Sequence, residues 1–200
     1  MLVAVVVNLI GVLIFLFVFW RKHKEDYISE QIFPTLFLTL LGLGIFQLIS
    51  YYLLSGWWFW FAILGISLGF GFGVYRYKLR FYESLDALVA SLLPWFALYY
   101  LKDSVVSRNW FSFSAFIFII LLITLYLFLN MQYKKFRWYK SGRVGFAGLV
   151  TLGFAFLIRG LTGIWAPSIL SFVGLFDIIA SFIISVIAFG MVYNLARSKI

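Results

Sequence analysis

The stretch Trp57–Trp95, WWFWFAILGISLGFGFGVYRYKLRFYESLDALVASLLPW, decides the fold. An aromatic cluster opens an apolar run that carries Gly65, Gly69 and Gly73 at four-residue spacing. A basic, aromatic turn with Arg76, Lys78 and Arg80 follows, and a second apolar run begins at Glu83 and Asp86. Two membrane-spanning helices joined by a short cytoplasmic hairpin have this pattern. Glycines one turn apart let a neighbouring helix backbone approach closely, so the first of the two helices is expected to pack through its glycine face.

The rest of the chain repeats the theme. Of its 200 residues 64% are hydrophobic and 12% charged, with a mean hydropathy of +1.05. A soluble domain of this size cannot bury so much apolar surface, so the composition predicts a polytopic membrane protein. Spans are expected at 2–20, 33–54, 59–74, 83–101, 110–131, 145–166 and 172–195, each near the ~20 residues that cross the hydrocarbon. The fold class is therefore all-α, a single seven-helix transmembrane domain over residues 1–200.

Charge sets the expected topology. Arg21, Lys22 and Lys24, then Arg76, Lys78 and Arg80, then Lys134, Lys135, Arg137, Lys140 and Arg143, and finally Arg197 and Lys199 follow alternate spans. The other connections hold only Lys102 and Arg108. Basic residues collect on the cytoplasmic side, which puts the N-terminus outside and the C-terminus inside. The net charge of +9 is then a topology and anionic-lipid signal, and no nucleic-acid partner is expected. The first run lacks the preceding positive charge and the cleavage site of a signal peptide, so it reads as an uncleaved helix. Pro94 is a candidate kink in the fourth helix.

The chain has no Cys and a single His, His23. That excludes disulfides and thiolate chemistry, and no metal or other cofactor is expected. Polar residues inside the spans are the candidates for function, because each is costly in lipid. Arg159 and Asp177 lie at matching depths of roughly 8–10 Å in consecutive helices, and Asn8 and Gln47 fall at roughly 10–12 Å by the same rise. Four such side chains at one level predict a polar cavity in the outer half of the membrane. Two readings stay open: a salt bridge with two amides that lock helix packing, or a headgroup site in which the Arg159 guanidinium grips a phosphodiester. Asp86, one turn into its helix, is expected to favour the helix N-terminus, with Arg76 or Arg80 as optional partners.

The run from Trp60 to Pro94 also carries a resemblance. A gapless alignment on Asp86 sets Gly65 on the last glycine of an S-F-H-G-G-L-x-G motif, Arg76 and Lys78 on a basic turn, and Phe81 on its aromatic residue. These features resemble the bacterial prolipoprotein diacylglyceryl transferases. The sixth run, G-L-V-T-L-G-F-A-F-L-I-R, is similar to that family's late helix, with Arg159 at or beside its Arg. The motif's His-Gly-Gly falls on Trp60, Phe61 and Ala62. A family G-R-x-G-N-F motif becomes Y-Y-L-K-D, with Tyr100 at the Arg and Asp103 at the Asn. Gly44 stands near another family Arg, and Thr162 and Gly163 stand where a Glu is expected.

The resemblance implies transfer of diacylglyceryl from phosphatidylglycerol to a prolipoprotein cysteine, in the bacterial inner membrane. Arg159 would meet the phosphate, and Asp103 and Asp177 are poor candidates for the base. The implied partners are phosphatidylglycerol or another anionic phospholipid, and prolipoproteins. The alternative is a non-catalytic lipid- or lipoprotein-binding protein on the same fold. A small transporter is a third reading, disfavoured because the chain shows no inverted repeat.

Overall fold

Long apolar runs with no water to satisfy their backbone must close their hydrogen bonds internally, and here they do so as helices. The computed structural model describes residues 2–136, 139, 144–165 and 174–197. The helices are α1 (Leu2–His23), α2 (Ser29–Leu53), α3 (Trp58–Arg76), α4 (Phe81–Val106), α5 (Trp110–Gln132), α6 (Phe146–Trp165) and α7 (Leu175–Arg197). Single 3-10 turns at Ser55–Trp57 and Tyr133–Lys135 adjoin α3 and α5. All seven helices are long and apolar enough to span a membrane, and the described residues contain no strand. The expected turn at Pro167 and Ser168, and the basic residues Arg137, Lys140, Arg143 and Lys199, lie outside the described residues.

Two boundaries move by four residues or more, for local reasons. α2 starts at Ser29, four residues before the expected Phe33, so Pro34 sits inside the helix rather than at its start. α4 runs to Val106 instead of Leu101, because Lys102, Asp103 and Ser104 contain no breaker. The stop comes at Arg108, with a left-handed φ of 49°, and at Asn109, whose side chain accepts from Phe111 N–H as the N-cap of α5. Helix α4 continues through Pro94.

The glycine face of α3 meets α2. A Cβ on Gly65 would land on the carbonyl oxygen of Gly42, and one on Gly69 would meet the carbonyl of Leu38. At Gly73 it would press on Thr35. Thr35 and Thr39 donate to carbonyls of their own helix at 2.8 Å, which satisfies both hydroxyls within α2. The two backbones thus touch along three turns. Dispersion at short range, rather than the hydrophobic effect, holds such a pair in lipid.

α4 is the central helix. It packs on α1, α5 and α6, while α7 packs on α6. Phe15 and Phe19 of α1, Ile32 and Leu36 of α2, and Phe70 of α3 form one apolar core. Leu93 of α4, Leu122 of α5, Leu149 of α6 and Val192 of α7 belong to the other. Gly153 and Gly160 of α6 admit the rings of Phe189 and Phe182 from α7, which fixes the register of that pair.

The helices run alternately up and down. The ends that carry Arg21, Lys22, Arg76, Arg80, Lys134 and Arg197 form the basic end of the bundle. The N-terminus and the α2–α3 and α4–α5 connections form the opposite end.

Candidate functional site

The register of α6 and α7 brings Arg159 and Asp177 together at the end opposite the basic residues. Asp177 lies in the first turn of α7, where a carboxylate is favoured by the helix dipole. Its Oδ1 accepts from Arg159 Nη2 at 3.1 Å and from Trp60 Nε1 at 2.5 Å. Two donors, from α6 and α3, therefore converge on one oxygen.

Aromatic rings wall this point. The Arg159 guanidinium lies 3.7 Å from the centroid of Phe59 and 5.8 Å from that of Trp60. Phe176 packs on Trp57 and Trp60 with centroids 5.1 and 5.4 Å apart. Asp177 is fully buried and the Arg159 side chain is 12% exposed. Low dielectric strengthens the pair, and for the same reason removing one partner alone is costly.

Asn8 and Gln47 do not join this cluster, which corrects the expectation of one four-residue cavity. Asn8 lies on an exposed face of α1, its Oδ1 3.5 Å from Trp95 Nε1 of α4. Equal depth did not bring it near Arg159, because α1 packs on α4 rather than on α6 or α7. Gln47 donates to the carbonyl of Trp58 at 2.8 Å and so ties α2 to the first residue of α3. Asp103 accepts from Ser107 and Ser112 and secures the α4–α5 turn.

Asp86 is a second buried node, and its partners are not the two optional ones. Neither Arg76 nor Arg80 reaches it. Lys22 Nζ of α1 lies 2.8 Å from Oδ2, and Tyr126 Oη of α5 donates to the same oxygen at 2.7 Å. Gly148 N–H of α6 donates to Oδ1 at 2.7 Å. A carboxylate that is 1% exposed thus joins four helices. Lys22 also donates to Asn130 at 3.2 Å. Next to it, His23 is buried, with Nδ1 3.0 Å from the Phe19 carbonyl and Nε2 3.2 Å from Ser84 Oγ. An Nδ1–H held by that carbonyl leaves Nε2 to accept from Ser84.

Sequence reasoning missed Trp60, Phe59, Tyr126 and the inward role of Lys22. Trp60 and Phe59 read as part of an aromatic cluster opening an apolar run, and Lys22 as one of several topology charges. Their spacing along the chain carries no sign of a partner forty or more residues away.

Compared with protein-family models, curated proteins and solved structures, the chain matches none.

Proposed function

We propose that this chain is a lipid-binding integral membrane protein of a bacterial cytoplasmic membrane, with its N-terminus outside and no transfer chemistry of its own. The site is the Arg159 end, and its occupant is an anionic phospholipid such as phosphatidylglycerol, or the lipidated end of a prolipoprotein. One observation carries the reading: Arg159 and Trp60 aim at a single oxyanion position, now held by Asp177 Oδ1. A phosphodiester oxygen presents the same charge to the same donors. Asp177 then acts as an internal competitor for the headgroup. The positive-inside bias supports the orientation.

The non-catalytic reading is favoured over diacylglyceryl transfer because Asp177, which is hydrogen-bonded to Arg159, is fully buried and already accepts two hydrogen bonds. It is badly placed to take a proton from a thiol. The placement of Arg159 in the sixth helix keeps transfer as the second reading. Purified protein in phosphatidylglycerol, mixed with a prolipoprotein peptide, tests both. Lipid or lipopeptide binding that depends on Arg159, without transfer, is the expected result. Transfer that disappears in Arg159→Ala establishes the enzyme instead. Neither activity leaves Arg159 and Asp177 as a structural pair and overturns the proposal.

A further inference from the structure

At the basic end, a recess of about 380 Å³ opens between the start of α4, the start of α6 and the end of α7. Arg80, Phe81, Tyr82, Glu83, Val144 and Leu195 line it. Its size falls in the range of small-molecule sites. Leu195 is buried, whereas Phe81 and Val144 are exposed at the rim. α3, which leads into this turn, has no extended backbone packing on α6 or α7. Phe81 and Val144 thus give the rim an exposed apolar edge.

Among the described residues, the polar part of the recess carries one charge of each sign. The Arg80 side chain is 75% exposed and gives Nη1 to Glu83 Oε1 at 3.0 Å. A guanidinium has five N–H donors, so this bond leaves others for a ligand. Arg80 is also the N-cap of α4 and supplies no side-chain cap, so the first-turn N–H groups of that helix add positive potential. Glu83 accepts from Tyr27 Oη at 3.0 Å through its other oxygen and is 21% exposed. A carboxylate has lone pairs left for a further donor. Phe81 and Tyr82 supply aromatic walls on which an ammonium can rest.

The geometry points to a bound zwitterionic phospholipid with a primary ammonium, of the phosphoethanolamine type. Its phosphate meets Arg80 and the α4 N-terminus, its ammonium donates to Glu83, and its chains leave across Phe81 and Val144. A phosphatidylglycerol headgroup has only neutral hydroxyls to offer Glu83, and no charged donor. A choline headgroup has no N–H to donate. The inference stands apart from the Arg159 reading, since the recess lies at the other end of the bundle.

The test is native mass spectrometry of the full chain in detergent, titrated separately with phosphatidylethanolamine, phosphatidylglycerol and phosphatidylcholine of identical chains. Phosphatidylethanolamine is expected to bind most tightly. Glu83→Gln keeps an acceptor for Tyr27 and should weaken that binding about tenfold, the scale of one charged hydrogen bond, towards the level of the other two lipids. Arg80→Gln should weaken all three. Val144→Trp fills the recess without touching a charge and should also weaken all three. Arg108→Gln, on the far side, should change nothing. Helicity by circular dichroism is followed for every variant to confirm folding. Preference for phosphatidylglycerol, or phosphatidylethanolamine binding indifferent to Glu83, Arg80 and Val144, overturns the inference.

Discussion

Trp60 and Asp177 are 117 positions apart and share a buried hydrogen bond that joins α3 to α7. Backbone packing between these two helices is slight. This bond and the Arg159 ion pair therefore close the end of the bundle opposite the basic residues. Asp177→Asn removes the charge and leaves the Arg159 guanidinium buried beside it. It should cost about 3–5 kcal/mol, as broken buried pairs do. The double variant Asp177→Asn with Arg159→Met should recover much of that loss. Reversible unfolding in mixed micelles measures both.

The same substitution bears on ligand binding. If Asp177 competes with a headgroup phosphate, Asp177→Asn should bind phosphatidylglycerol more tightly than wild type, by about tenfold for one charged hydrogen bond released. Binding that stays equal or falls in folded Asp177→Asn protein would count against the proposed site.

At Asp86 the cost should be asymmetric. Asp86→Ala leaves Tyr126 Oη and Gly148 N–H without this acceptor and Lys22 without its ion-pair partner, at about 3–5 kcal/mol or more. Lys22→Ala should cost less than Asp86→Ala, because Asp86 keeps two other donors. A thermal-shift comparison in one detergent decides the order.

Glycine positions separate by what lies opposite them. Gly65→Val and Gly69→Val should destabilise by about 1–3 kcal/mol or more, since the new carbon meets α2 backbone that cannot move aside. Gly71→Ala meets nothing within 4 Å and should be neutral, or stabilising by up to about 1 kcal/mol. Thermal unfolding of the three variants gives the ranking.

Tyr27, in the connection between α1 and α2, should make the basic end sensitive to alkali. Burial, and secondarily its hydrogen bond to Glu83, raise its pKa, although the Arg80 N–H that it accepts acts the other way. The neutral phenol is the folded form. Its contribution is complete below the ordinary tyrosine value of about 10 and is lost as pH rises through the higher folded value. Tyr27→Phe should flatten that part of the stability profile between pH 9 and 12, measured by unfolding at each pH (an interval of about that width around the reference value).

Much of the architecture was legible because membrane insertion is a local property. An apolar run of about twenty residues spans wherever it occurs, and Lys and Arg counts beside it suggest a direction. The glycine spacing in α3 announced a close helix contact but not its partner, which is α2. Matching depth placed Arg159 opposite Asp177 because consecutive antiparallel helices bring equal depths together. The same argument misled for Asn8, since depth says nothing about which way a helix is turned. Asp86 shows the limit most clearly. The nearest basic residues in the chain are Arg76 and Arg80, yet the carboxylate points inward to Lys22, Tyr126 and Gly148.

The sequence by itself determined the class of molecule, its seven spans and the residues costly enough in lipid to need partners. Hydropathy, length and charge are properties of short segments, and they survive without knowledge of the neighbours. Only the tertiary structure decided which donors meet Asp86 and Asp177, that Trp60 belongs to the Arg159 site, and that Arg80 and Glu83 border a recess. Those facts depend on helix rotation and order in the bundle, which side-chain packing between distant segments sets.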